Sequence, residues 1–472
     1  MCEALDPWGT AAVLPGQHIH FIGIGGFGLS AIARVLLQKG YVISGSDRAR
    51  SPLTEALARD GVQIDIGHEP AYVVGADLVI RSSAVSDDHV EVLAARAANI
   101  PVYKRADVLA AIMAGQAGIA VAGTHGKTTT TAMITHILIE TGRDPSYIIG
   151  GVLRSTGLNA AFGSGPAFVI EADEYDHMFH GLRPQVAVIT NIEWDHPDFF
   201  PTPDALFESF AAFLDHLPDD GLLIACADSP QAAQLAAQRS ARNCPTETYS
   251  GAQVDAAWTA LDVRAAGPGM TFTVGRRGEP IALARLLIPG LHNVANALAA
   301  LAVAHQQGVA VEAAVAALAT FSGTGRRFEV RGEVGGVTVV DDYAHHPTAI
   351  RATLAAARAR YPDHALWVVW QPHTFSRTAA LFDSFVTAFA DADYLLVTDI
   401  YAAREDPLPG VDSRALVAAL SHPNARHTPA RADCTAVLLA EVSAPAVILI
   451  MSAGDAPQIG ADFLAQRAEI DP

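Results

Sequence analysis

Lysine is almost missing from this sequence: its 472 residues hold only Lys39, Lys104 and Lys127. Acid dominates instead, with 50 Asp and Glu against 31 Lys and Arg and a formal net charge of −19. Such a chain is a poor partner for nucleic acid or an anionic membrane surface, both of which call for a basic face. Any phosphate it binds must be met by helix N-termini and a few placed cations. Cysteine is scarce too. Cys2, Cys226, Cys244 and Cys434 form no C-x-x-C pair. That argues against a disulfide framework or a zinc site and fits the reduced thiols of a cytoplasmic protein. The N-terminus, with Glu3 and Asp6 before a short Ala/Val/Leu stretch, lacks the basic start and apolar centre of a signal peptide. Long apolar runs are missing as well. The longest, Leu366–Trp370 and Ala446–Met451, are strand-length, far below the ~18 residues of a membrane helix, so no membrane insertion is expected.

What is present is apolar material for several cores: 50% of residues are hydrophobic and 17% charged. Three blocks of alternating strand and helix patterns divide the chain at 1–115, 116–325 and 326–472. The first opens with the apolar run Ile19–Ile22, a glycine-rich turn, a helix from Leu29 to Leu37 and a strand over Tyr41–Ser44, with Leu78–Ile80 as a further strand. The second carries Ile119–Ala122, Phe168–Ile170 and Val186–Thr190 as buried-type strands, then an Ala-rich helical stretch over Asn296–Phe321 interrupted near Gly308. The third has four apolar runs, Val337–Val340, Trp367–Trp370, Leu395–Val397 and Val447–Met451, each followed at once by polar residues. Alternation of this kind predicts an α/β fold with parallel sheets. Ligands of open parallel sheets bind at the carboxyl ends of strands, so the third block predicts one crevice there.

The strongest chemical signal is Ala122-Gly123-Thr124-His125-Gly126-Lys127-Thr128-Thr129-Thr130, which follows a strand and opens a helix. Glycines let backbone N–H groups approach phosphate, Lys127 neutralises it, and Thr128 offers a hydroxyl to Mg²⁺. Val121 stands where a P-loop has its first glycine. A second loop, Gly23-Ile24-Gly25-Gly26-Phe27-Gly28 with Asp47 beyond it, reads as a dinucleotide fingerprint, although such loops serve many phosphate compounds. A third signal is the strand end Glu171-Ala172-Asp173-Glu174, matched further on by Asn191-Ile192-Glu193-Trp194-Asp195-His196. Carboxylates at a strand end in a nucleotide enzyme suit a hard metal ion.

Two weaker clusters complete the set. Pro289-Gly290-Leu291-His292-Asn293-Val294-Ala295-Asn296 marks a turn and a helix start. Its amides can read an adenine edge, and capping by Asn293 is the plainer alternative. Asp341-Asp342-Tyr343-Ala344-His345-His346-Pro347 and Gln371-Pro372-His373-Thr374-Phe375-Ser376-Arg377 follow successive strands. They predict a pocket in which Arg377 suits a carboxylate, with Arg326 and Arg327 adding positive charge near phosphate.

In this order the segments resemble the Mur ligase family from about Ile19 to Asp455, the Gly325-Arg326-Arg327-Phe328 turn included. The resemblance implies three domains: an N-terminal Rossmann-like domain for a UDP-sugar, a central P-loop-type ATP-binding α/β domain and a C-terminal Rossmann-like domain. It implies ATP-dependent amide formation on UDP-N-acetylmuramate with Mg²⁺. The residues from Ile22 to Gly28, Gly45-Ser46-Asp47, Lys104-Arg105, the Thr-His-Gly-Lys loop and Asp399–Arg404 point to L-alanine as the amine. By the same resemblance Gly23, Gly25, Gly26, Gly28, Asp47 and Ser82 meet the UDP-sugar. Gly123, Thr124, His125, Gly126, Lys127, Thr128 and Thr129 hold the ATP phosphates. Thr128, Glu171 and His196 hold Mg²⁺. His292, Asn293, Asn296, Arg327 and Asp342 lie around the nucleotide, and Tyr343, His345, His373 and Arg377 line the C-terminal crevice. The implied catalytic set is Lys127, Glu171, His196, His345, His373 and Arg377, with His345 or His373 as base toward the amine. Thr374 departs from members that carry arginine there. No lysine follows Lys127, so the carbamylated lysine with which later-acting members hold a second Mg²⁺ has no counterpart.

Three other readings account for less. A recycling ligase that attaches a tripeptide to the same sugar shares the ATP loop but needs a larger pocket. A nicotinamide-dependent oxidoreductase built on Gly23–Gly28 leaves the ATP loop without a task. An ATP-driven regulatory or binding protein leaves the third block's crevice without one.

Overall fold

The computed structural model describes residues 15–252 and 255–470. Cys2, Glu3 and Asp6 lie outside them. The remaining cysteines, Cys226, Cys244 and Cys434, are buried free thiols. Among the described residues no helix is long and apolar enough to cross a membrane.

Contacts divide the chain into two compact units. The first holds the chain up to Ile192 with Phe207–Tyr249 and Ala299–Ala317. It opens on a parallel sheet of β1 (His18–Ile22), β2 (Val42–Asp47), β3 (Gln63–Ile66), β4 (Leu78–Arg81) and β5 (Val102–Lys104) in the order β3-β2-β1-β4-β5. The order reverses beside β1, and that switch point is where the Gly23–Gly28 turn leaves the sheet. Tyr41, expected in the second strand, precedes it; β2 instead runs on to Asp47, so that carboxylate is the strand's last residue. The unit continues with β6 (Ala117–Ala122), β7 (Ser146–Leu153), β8 (Leu158–Ala161), β9 (Ala167–Glu171), β10 (Val186–Ile189), β11 (Leu222–Cys226) and β12 (Thr246–Ser250). They align as β12-β11-β10-β6-β9-β7-β8. β6, β9 and β10 are almost wholly buried, which is why they read as continuous apolar runs rather than alternating ones.

The second unit comprises Glu193–Leu206, Ser250–Leu298 and the chain from Leu318. It contains an antiparallel meander, β13 (Trp258–Ala266), β14 (Gly269–Arg276) and β15 (Glu279–Leu286), which no apolar run announced. Its last sheet has β16 (Glu329–Val334), β17 (Val337–Asp342), β18 (Ala365–Trp370), β19 (Tyr394–Val397), β20 (Ala425–His427) and β21 (Ala446–Met451) in the order β16-β17-β21-β18-β19-β20. The four runs expected as strands are β17, β21, β18 and β19, neighbours and mutually parallel. Their carboxyl ends therefore share one edge. Asp341 and Asp342, expected just beyond the strand, are its last two residues and are buried. The helix after Pro289-Gly290 starts at Leu291, so Asn293 lies in its first turn and does not cap it. The helical stretch breaks between Gln306 and Val311, around Gly308.

Candidate active site

The N-terminal loop is shaped by lack of space. Gly23 has φ +81°, a left-handed conformation that favours glycine. A Cβ on Gly25 would lie 2.8 Å from Asp47 Oδ2, and one on Gly28 would lie 1.8 Å from Arg105 Nη1. The Gly25 N–H donates to Asp47 Oδ2 at 2.8 Å, and Ser82 stands beside Gly23. Of the expected sugar contacts, the glycines, Asp47 and Ser82 thus meet at one strand-end turn. Arg105 reaches Asp173 at 3.3 Å. Beneath β2, the buried Glu91 accepts from His20 Nε2 (2.9 Å), His68 Nδ1 (2.7 Å) and Ser46 Oγ (2.9 Å). Burial opposes its charge, yet these donors bring its pKa below the usual carboxylate range. Every one of those polar groups is satisfied by another, so the cluster pins the strand ends in place.

The second loop leaves β6 and opens the helix Lys127–Glu140. Gly123 (φ +136°) has no room for a side chain, since a Cβ would lie 2.0 Å from Thr190 Oγ1. Asn191 clamps the turn: its carbonyl accepts from Thr124 N (3.0 Å) and its side-chain oxygen from His125 N (2.9 Å). Lys127 Nζ donates to Glu174 Oε2 at 2.7 Å. Burial works against the ammonium, but Glu174, Asp173 and Glu171 outweigh it and raise its pKa. Thr128 Oγ1 donates to Glu171 Oε1 at 3.0 Å, and the Gly150 N–H donates to Glu171 Oε2 at 2.7 Å. A helix N-terminus, a buried cation and a hydroxyl–carboxylate pair therefore converge on one turn, as a bound nucleoside triphosphate requires. Thr129 is buried on the same first turn.

In the second unit the sheet edge gathers the expected crevice residues. Arg377, buried, donates from Nε to Asp195 Oδ1 at 2.6 Å and from Nη1 to His373 Nδ1 at 3.0 Å. Its Nη2 lies 3.4 Å from His196 Nδ1. Burial opposes charge on Asp195, yet Arg377, His196 and His345 hold its carboxyl well below the usual range. His345 Nδ1 lies 2.8 Å from the Tyr343 carbonyl, and its Nε2 lies 4.0 Å from Asp195 Oδ2. Burial and then Arg377 push His345 well below the ordinary imidazole pKa, and the same two causes bring His373 to about 4. His196 and Thr374 adopt φ of +55° and +64°, rare for residues with a side chain and frequent where geometry serves a function. The guanidinium groups of Arg326 and Arg327 lie 5.0 and 4.9 Å from the Tyr343 ring centre. Asp342 accepts from Phe328 N (2.7 Å) and Ala344 N (2.8 Å), tying that arginine turn to β17. Asn293 Nδ2 donates to the Pro289 carbonyl (2.6 Å) and Asn296 Nδ2 to Asn293 Oδ1 (3.2 Å), while His292 is exposed beside them.

The structure brings together Lys127, Thr128 and Glu171 in one unit and Asp195, His196, His345, His373 and Arg377 in the other. Glu174, Asn191 and Asp195 carry this geometry without having been assigned a role from the sequence. Their place inside the same polar clusters is the only signal the sequence offers.

Fold and site together define a nucleotide-dependent α/β enzyme of the phosphate-loop kind, with a histidine–arginine cluster at the edge of a further, mostly parallel sheet. Three consecutive family models match: the Mur ligase family catalytic domain over residues 18–117, the Mur ligase middle domain over 121–304 and the Mur ligase glutamate ligase domain over 326–454. The chain belongs to the Mur ligase family. It is 44% identical to a UDP-N-acetylmuramate–L-alanine ligase of Geotalea daltonii, over 96% of this chain and 98% of that protein. It is 42% identical to the protein of the same name from Roseiflexus castenholzii, again over 96% and 98%. Among solved structures, the UDP-N-acetylmuramate–alanine ligase of Thermotoga maritima superposes with a TM-score of 0.79 at 27% identity, covering 96% of this chain and 99% of that one. A murein peptide ligase of Psychrobacter arcticus gives 0.72 at 30% identity, with coverage of 96% and 99%.

Proposed function

We propose that this chain joins L-alanine to UDP-N-acetylmuramate at the expense of ATP, giving UDP-N-acetylmuramoyl-L-alanine, ADP and phosphate for peptidoglycan synthesis. The observation that carries the reading is end-to-end likeness to relatives named for this reaction. The loop geometry supports it. The muramoyl carboxylate attacks the γ-phosphate and becomes an acyl phosphate; the amine of L-alanine then attacks its carbonyl and phosphate leaves. Attack by a carboxylate on a polyanion demands charge neutralisation, for which Lys127 and the helix N-terminus after Gly126 are built. Lys127 must exchange Glu174 for phosphate when ATP arrives. Thr128 and Glu171 present hard oxygen donors that fit Mg²⁺, and the ion would supply further positive charge to the phosphates when bound. His196, expected beside them from the resemblance, belongs to the other unit.

Gly23–Gly28, Asp47 and Ser82 serve the UDP-sugar. His292, Asn293 and Asn296 serve the nucleotide, with Arg327 supplying charge and Asp342 holding the arginine turn in place. Tyr343, His345, His373 and Arg377 serve the amino acid. Domain boundaries fall near residues 115 and 325, and the nucleotide-activated substrates place the reaction in the cytoplasm. Phosphate release measured side by side with L-alanine, with the murein tripeptide and with no amine tests the reading. Release that depends on L-alanine is expected. Release with the tripeptide alone would transfer the chain to the recycling reaction.

A further inference from the structure

The amine of L-alanine must lose a proton as it attacks, and two histidines clustered with Asp195 and Arg377 are candidates to take it, His345 and His373. The hydrogen-bond partners of their rings are not equivalent. A backbone carbonyl only accepts, so His345 Nδ1, 2.8 Å from the Tyr343 carbonyl, carries the proton. The lone pair of neutral His345 is therefore on Nε2, on a side chain one-fifth exposed. A guanidinium only donates, so His373 Nδ1, 3.0 Å from Arg377 Nη1, carries the lone pair and Nε2 carries the proton. Protonation of His373 would have to occur at Nδ1, against the guanidinium that already occupies it. Burial and Arg377 disfavour a charge on both rings, but at His345 the nitrogen that would take the proton has the Asp195 carboxylate 4.0 Å away and no guanidinium bonded to it. Asp195 is itself fixed by Arg377 Nε at 2.6 Å and so is in place to stabilise an imidazolium at His345.

We infer that His345 Nε2 is the general base of the ligation and that His373 is a fixed Nε2–H donor. The inference rests on the amide-forming reaction proposed above. In the step, the nitrogen lone pair of L-alanine forms the C–N bond. The carbonyl C–O bond to phosphate breaks, phosphate leaves with that electron pair, and the amine proton passes to His345 Nε2. His373 Nε2–H is a donor available to an anionic oxygen, either the amino-acid carboxylate or the departing phosphate.

The test compares two nucleophiles on the full-length enzyme with ATP, Mg²⁺ and UDP-N-acetylmuramate. Hydroxylamine is weakly basic, arrives unprotonated at neutral pH and captures an acyl phosphate as a hydroxamate without a base. H345N places an amide N–H where Nδ1 stood, keeping the bond to the Tyr343 carbonyl while removing Nε2. It should lose ~10²-fold or more in kcat with L-alanine, yet form hydroxamate within a few-fold of wild type. H373N, which keeps an acceptor toward Arg377, should slow both nucleophiles alike or raise KM for L-alanine. Equal loss with both nucleophiles in H345N, or a loss of kcat confined to L-alanine in H373N, overturns the assignment. H345Q gives a second reading should H345N melt early, with the same outcomes. Wild-type enzyme that yields hydroxamate but no alanine-dependent phosphate would overturn the amine reading itself, and this assignment with it.

Discussion

At the scale of single residues, the site works through groups whose neighbours decide their charge. Lys127 is kept ionised although buried, because Glu174 stands 2.7 Å away and Asp173 and Glu171 add to it. The sequence makes Lys127 legible because Gly-Lys-Thr after a strand has a known physical task. It leaves Glu174 mute, since nothing in its spacing says that a 3₁₀ segment, Tyr175–Gly181, begins directly after it. Replacement of Lys127 by alanine should cost ~10²–10³-fold or more in ATP turnover, while UDP-sugar binding, built around Gly23–Gly28, stays near wild type by calorimetry. Near-normal phosphate release from the variant would remove the phosphate loop from the mechanism. Asp195 and His345 illustrate the same limit: residue types are visible in the sequence, but the contacts of Asp195 with Arg377 and His345 join distant segments.

At the scale of elements, Glu171, the carboxylate proposed to hold Mg²⁺, is positioned by a strand the sequence did not connect with it. Gly150 lies on β7 and Glu171 ends β9, and the two strands pair in parallel. A Cβ on Gly150 would stand 2.6 Å from Glu171 Oε2. The clash is with the far end of a flexible side chain, so Gly150→Ala should fold with a Tm close to wild type while pushing the carboxylate off its place. The expected readout is an apparent Mg²⁺ affinity lowered ~10-fold in the phosphate-release assay. An unchanged Mg²⁺ dependence would free Glu171 from that role. The buried strands β6, β9, β10, β17, β18, β19 and β21 were legible as apolar runs. The meander β13–β15 was not, because its buried residues are interrupted by partly or fully exposed ones and give no continuous run.

For the whole molecule, the distribution of shifted groups predicts how stability follows pH. His89, His136, His177, His216, His345 and His373 all have lowered pKa values, burial being the first cause in each. In the unfolded chain these rings take up protons as pH falls through ~6.5, while the folded state resists. The unfolded state then binds more protons, so stability falls as pH drops below that value. Asp341, raised to about 6 by burial, acts in the opposite sense: its contribution is present at acid pH and fades as pH rises through 6. Burial raises Asp342 as well, in the same sense as Asp341; six histidines against these two carboxyls predict a Tm clearly lower at pH 5 than at pH 7.5 in a calorimetric scan. A Tm that is flat or higher at pH 5 would contradict the protonation states on which the crevice depends.

The sequence by itself determined the α/β class, the three consecutive blocks and the glycine–lysine–threonine loop between a strand and a helix, and it named many of the polar residues that the structure gathers at the strand ends. Those features are local: apolar runs make buried strands, and glycine, lysine and threonine at a helix start have the same chemistry wherever that turn occurs. Only the tertiary structure decided that Asp341 and Asp342 are buried in β17, that Asn293 bonds the turn before its helix, that Glu91 is held by His20, His68 and Ser46, and that Arg377 joins Asp195 to His373. The bonds of Glu91 and of Asp195 join segments far apart in the chain, and the short-range ones need backbone turns that only the folded structure sets. A residue's charge and the position of its proton depend on which partner reaches it, and chain order alone does not fix that.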